Sequence, residues 1–140
     1  MILYLDTSSL VKLYVEETHS TRVKQWVEKS ELVATCRIAF PETVSALDRR
    51  FRSGDFTRSV YERLLSGFSG DWPHFVVTDF DEQEAGRLVR KYGLRGFDAV
   101  HLSSAGMIRG GADLTLSFSS FDEKLTHAAI AEGFIVLLPQ

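Results

Sequence analysis

Short unbroken apolar runs alternate along this chain with longer stretches whose apolar positions recur every three or four residues. Ile2–Leu5 reads ILYL, a run that suits a strand buried on both faces. Leu10, Leu13 and Tyr14 then recur at helical spacing, and a helix is predicted from about Ser20 to Lys29 with Val23, Trp26 and Val27 on one face. LVATC (32–36) predicts a second strand. Beyond it Pro41 suits a first helical turn, and Phe40, Val44, Leu47 and Phe51 fall on one face of the helix it opens. Phe56 to Phe68 predicts another helix, ended by the turn-rich Gly70-Asp71-Trp72-Pro73. FVVT (75–78) is strand-like, and Asp81 with Glu84 has the spacing of a capping box for a helix that runs to Tyr92 and stops at Gly93. A further helix is predicted over Phe97 to Arg109 and broken by Gly110-Gly111. LTLSF (114–118) then predicts a fourth strand, Glu123 to Ala131 a last helix and FIVLL (134–138) a fifth strand.

Apolar strands separated by helices imply an α/β fold: a parallel five-stranded sheet with helices on both faces. The chain has 140 residues, 44% hydrophobic and 25% charged, which suits a single domain over 1–140 with one folded body. The lone Cys36 excludes a disulfide framework and a zinc site of paired cysteines. MILYLDTSSL carries no basic leader and is interrupted by Asp6, so a signal peptide or membrane span is not expected. A cytoplasmic location is expected.

Ligand sites in such sheets lie beyond the C-terminal ends of the strands. Four acids satisfy that rule. Asp6 follows the first predicted strand, Glu42 lies in the first turn after the second, Asp98 opens a helix after Gly93 and Gly96, and Asp122 follows the fourth strand. Helix capping accounts for Asp98 or Asp122 taken singly, and for Asp6 much less readily because it ends a strand. Collectively the acids point to a cation. Two carboxylates about 4 Å apart repel by roughly 4 kcal/mol at an effective dielectric of 20. Hard oxygen donors without His or Cys select Mg²⁺ or Mn²⁺, and such a site can activate water for phosphodiester hydrolysis. The net charge of −3 argues against a protein that coats nucleic acid by bulk electrostatics, yet four acids committed to a cation leave the rest of the chain at +1. Two stretches are locally basic: Arg49, Arg50 and Arg52, then Arg87, Arg90, Lys91 and Arg95.

YLDTSSLVKLYVEE (4–17), PETVSAL (41–47), LRGFDAVHLSSA (94–105) and FSSFDEKLTHAAIAEGFIVL (118–137) together resemble the four acidic motifs of PIN domains. More narrowly, they resemble VapC toxins of type II toxin–antitoxin modules. The resemblance implies a PIN-like three-layer α/β/α sandwich and a Mg²⁺- or Mn²⁺-dependent endoribonuclease, usually a homodimer held silent by a cognate antitoxin. It assigns Asp6 and Asp98 as principal metal ligands, Glu42 as the glutamate and Asp122 as the fourth acid. Ser8 takes the place of a small polar residue near the substrate. Ser120 stands where many members have Thr. Arg95, close to Asp98 in sequence, is the expected phosphate contact. An antitoxin segment is expected beside the first helices, around Leu10 to Val15.

The densest acidic run, Asp79, Asp81, Glu82 and Glu84, is read as capping and solvated charge. His101, three residues after Asp98, shares its helix face and is expected to be packed or at the surface. Ser103 and Ser104 lack a GxSxG setting, and Asp6 lacks the DxD partner of an aspartyl-phosphate phosphatase because position 8 is Ser. A stand-alone PIN nuclease of RNA processing and a non-catalytic module of the same fold are the alternatives.

Overall fold

The computed structural model describes residues 1–111 and 115–139. Five parallel strands, β1 (Ile2–Leu5), β2 (Leu32–Cys36), β3 (Val76–Thr78), β4 (Leu116–Ser119) and β5 (Ile135–Val136), form one sheet in the order β3-β2-β1-β4-β5. The order reverses at β1, so the crevice between β1 and β4 is the switch point where ligands of such sheets sit.

The alternation along β1 shows why both faces must be covered. Leu3 and Leu5 pack with α1 (Thr7–Leu10), α2 (Ser20–Lys29), α3 (Ala39–Arg52) and α4 (Arg58–Asp71), through Leu10, Val23, Ala39 and Phe68. Ile2 and Tyr4 point the other way, toward α5 (Glu82–Tyr92), α6 (Gly96–Gly111) and α7 (Glu123–Ala131), where Leu88, Ala99, Leu102 and Leu125 receive them. Burial of each leucine contributes about 2 kcal/mol, which fixes the register of β1 and hence the side on which Asp6 emerges. The expected three-layer sandwich is therefore observed. A third apolar cluster, Val11, Val15, Leu47 and Tyr61, ties the α3–α4 hairpin to the start of the chain.

The differences from the sequence reading are local. Gly70 and Asp71 continue α4, and Pro73 is accommodated in a single 3₁₀ turn, Trp72–His74, whose start lacks hydrogen-bonded N–H groups anyway. Gly110 and Gly111 lie inside the last turn of α6 instead of breaking the chain before it. Asp81 caps α5 by accepting from the N–H of Gln83 and Glu84, but no box is closed. Glu84 turns to Arg87, and the Asp81 N–H donates to Ser103 Oγ. Position 114 of the fourth expected strand lies outside the described residues, and β5 is two residues long where five were expected. Among the described residues its outer edge is unpaired, and the Leu137 N–H, donating to the Phe118 carbonyl, prolongs the ladder.

Candidate active site

The C-terminal ends of β1 and β4 open into a cleft of about 590 Å³ lined by Asp6, Glu42, Asp98 and Asp122, together with Ser8 and Arg95. All six residues singled out from the sequence are thus brought to one place, from four separate elements. Asp6 is the N-cap of α1, accepting from the Ser9 N–H, although a strand-ending acid was not expected to cap. Asp122 is the N-cap of α7, accepting from the Leu125 N–H. Glu42 and Asp98 lie in the first turns of α3 and α6, where the exposed N–H groups favour negative charge.

Asp6 is the anchor. It is buried, and three donors fix its carboxylate: Ser8 Oγ at 2.7 Å and Ser9 N at 3.0 Å on Oδ1, and Ser120 Oγ at 2.6 Å on Oδ2. Ser8 also accepts from the Phe121 N–H at 2.9 Å. Its single proton is spent on Asp6, so Ser8 orients the acid and is not free to donate to a substrate. Ser120 serves Asp6 in the same way, and this is the physical content of the hydroxyl two residues before the fourth acid.

Asp98 is pushed above the usual carboxylate range, first by burial and further by the negative charges of Asp122 and Asp6, against the pull of Arg95. Arg95 bridges the pair, with Nε 3.0 Å from Asp98 and a terminal nitrogen 3.2 Å from Asp122. Its own side chain is 78% exposed, so exposed ion pairs of up to about 1 kcal/mol each are all that tether it. Glu42 takes the opposite course. Burial raises its pKa, but hydrogen bonds from His101 and Thr7 outweigh that and hold it below the ordinary value.

The donor set suits a hard divalent cation by its chemistry, being all carboxylate oxygen gathered in one cleft. Among the described residues no three acid, histidine or cysteine side chains already stand as close as a bound ion would draw them. The guanidinium of Arg95 sits between two of the acids instead.

A PIN-domain profile matches residues 3–131. Ribonuclease VapC45 of Mycobacterium tuberculosis is 34% identical over 139 residues, spanning 94% of this chain and 92% of its own length. The chain belongs to the PIN-domain family, with VapC proteins as its relatives. Two solved structures share the fold: PAE2754 from Pyrobaculum aerophilum, with a TM-score of 0.67 and 21% identity over 97% of this chain and 89% of its own, and VapC20 of Mycobacterium tuberculosis, described as a sarcin–ricin loop cleaving toxin, with 0.63 and 19% over 98% and 99%.

Two residues of this PIN cleft, Thr7 and His101, and the buried Tyr4 behind them escaped the sequence reading as functional. His101 is buried, with Nε2 2.9 Å from Glu42 Oε1 and Nδ1 2.8 Å from the Tyr4 hydroxyl. Burial keeps the Tyr4 hydroxyl protonated well past its usual range, so it donates to Nδ1 and leaves Nε2–H for Glu42. Thr7 Oγ1 donates to the same Glu42 oxygen at 2.5 Å. The three-residue spacing from Asp98 placed His101 on the correct helix face, whereas Tyr4 was read only as part of an unbroken apolar run. Nothing in the sequence marked Thr7. Within the segment expected beside an antitoxin, Leu10, Val11 and Val15 are buried in the chain's own core, while Leu13 and Tyr14 line a surface hollow.

Proposed function

We propose that this chain is a Mg²⁺- or Mn²⁺-dependent endoribonuclease and the toxin of a toxin–antitoxin pair. The observation that carries the reading is the convergence of Asp6, Glu42, Asp98 and Asp122 from four elements on one cleft at the sheet's switch point. The ribonuclease names of its relatives and the toxin description of VapC20 support the same chemistry and role.

Asp6, Asp98 and Asp122 would hold the ion, with Glu42 at its side. A bound divalent ion supplies an acidified water and neutralises charge on the phosphate undergoing in-line displacement. The residues of the chain do the rest. Ser8, Ser120 and the Ser9 N–H aim Asp6, which therefore needs no reorganisation. His101 and Thr7 keep Glu42 ionised, which suits a ligand or a water-orienting group better than a proton acceptor. Arg95 releases Asp98 and Asp122 and, being exposed and always charged, can turn to a phosphate oxygen of the substrate.

No helix among the described residues is long and apolar enough to cross a membrane. On this reading the protein acts in the cytoplasm as a homodimer, and a small antitoxin silences it by bringing an Arg or Lys to the acids as Arg95 does within the chain. Purified protein freed from any partner should cut single-stranded RNA with Mn²⁺ and lose that activity in chelator. Expression of the chain alone should slow growth, and the neighbouring small gene should restore it. Absence of metal-dependent cleavage would defeat the nuclease; harmless expression of a protein that cuts RNA would leave a processing enzyme in place of a toxin.

A further inference from the structure

We propose that Phe97 and Arg49 form a nucleotide step at the mouth of the acidic cleft, where one base of single-stranded RNA stacks on the phenyl ring and an adjoining phosphate meets the guanidinium. This rests on the nuclease reading and states how its substrate is gripped beside the reacting bond.

Among the Phe, Tyr and Trp side chains of the described residues, Phe97 alone is exposed, at 63%. The other large rings are spent on one another or on the core, as in the Phe40–Phe68–Trp72 group and the stacked Phe51 and Tyr61. Phe97 immediately precedes Asp98 in the first turn of α6, and no aromatic ring or cation among the described residues packs on its face. A phenyl ring exposed to that degree contributes little to the fold. It lines both the acidic cleft and an adjoining hollow of about 390 Å³ whose lining includes Ile38, Pro41 and Ala46.

Arg49 lines the same two spaces. Among the described residues it is the one cation of the cleft that pairs with no carboxylate. Lys12 and Arg50 hold Glu17, and Arg95 holds Asp98 and Asp122, whereas Arg49 donates only to Ser45 Oγ. It lies seven residues after Glu42 on α3, two turns along one face and roughly 10 Å away. A phosphate held there would neighbour the reacting one and not replace it. An open ring and an unspent cation are the two groups that a flexible polyanion with stacking bases engages. A duplex would hide the base faces, so the occupant is a single strand, loop or bulge.

The test is a titration of a labelled, unstructured RNA oligonucleotide with the Asp6→Asn protein, in which cleavage is stopped, against the same protein carrying Phe97→Ala. The loss expected is about tenfold or more. Phe97→Trp should retain binding, with its added fluorescence quenched by that RNA and not by an abasic oligonucleotide of equal charge. Arg49→Ala should weaken binding and lower the salt dependence by about one phosphate contact. Full affinity in Phe97→Ala or in Phe97→Leu would overturn the proposal, leaving the ring as apolar bulk or a protein-docking patch. If wild-type protein cuts RNA with Mn²⁺ while Phe97→Ala binds normally, this step alone is lost; if wild type neither cuts nor binds, the nuclease reading falls with it.

Discussion

The four acids at positions 79–84 and the four acids gathered at the C-terminal end of the sheet, Asp6, Glu42, Asp98 and Asp122, are opposite in use. In the first group Asp79 pairs with Arg37, Asp81 caps α5, and Glu84 pairs with Arg87. Nearby, Glu132 accepts from Tyr92, Arg87 and Lys91, which together hold its carboxyl down at about 2. In the cleft, Asp98 and Asp122 share one exposed arginine while Asp98 is held up by burial and by its neighbours' charge. Density of acidic residues along the sequence therefore says little. What marks a site is negative charge that the fold gathers and does not neutralise.

The comparison breaks first on activity. Asp98→Asn should lower metal-dependent RNA cleavage by ~100-fold or more, with the far-ultraviolet spectrum unchanged, while Asp81→Asn should cleave at nearly the wild-type rate. The same Asp98→Asn change should raise the melting temperature of the metal-free protein slightly, because it relieves repulsion. Equal activity losses in the two variants would erase the distinction between the regions.

A smaller effect is expected behind the cleft. His101→Gln keeps a donor near Glu42 but cannot also accept from Tyr4 in the same geometry, and a loss of roughly tenfold in activity or metal affinity is expected. The pH profile should separate orientation from bulk packing: loosening of the His101 hold should let the apparent pKa of Glu42 rise.

The smallest effect concerns stability on the opposite side. Glu132→Gln should cost about 1–2 kcal/mol at neutral pH, read from chemical denaturation. Because the folded-state pKa of Glu132 is depressed, its contribution is complete above about 4.5 and is lost as pH falls toward about 2. The gap between wild type and Glu132→Gln should close over that interval. A gap that stays constant with pH would mean that the residue acts through packing and not through its charge.

The layers were legible because β1 to β4 are apolar runs set between periodic helices, and the four acids were legible because each follows a strand or opens a helix, whereas the strand order came only from the structure. The missed parts depend on contacts that sequence spacing does not encode. Thr7 meets Glu42 across 35 residues, and Tyr4 meets His101 across 97. A hydroxyl beside an acid looks the same whether it points at solvent or at a carboxylate. The exposure of Phe97 was hidden for a related reason: an aromatic at helical spacing reads as core until the neighbouring surface is seen.

Asp6 stands near the beginning of the chain, yet its Oδ2 partner is Ser120, 114 residues later, and its own N–H donates to the Ser119 carbonyl. β1 is completed on one side by β2, which is synthesised early, and on the other by β4, which is synthesised late. A ribosome making this protein therefore exposes the first acid long before the strand that aims it, and the fourth acid arrives only just behind that strand. On the nuclease reading the nascent polypeptide is inert for most of its translation, and the messenger and ribosomal RNA around it are out of danger until the closing strand emerges. On the toxin reading, chain order is thus a timer that gives an inhibitor the interval before the cleft first closes.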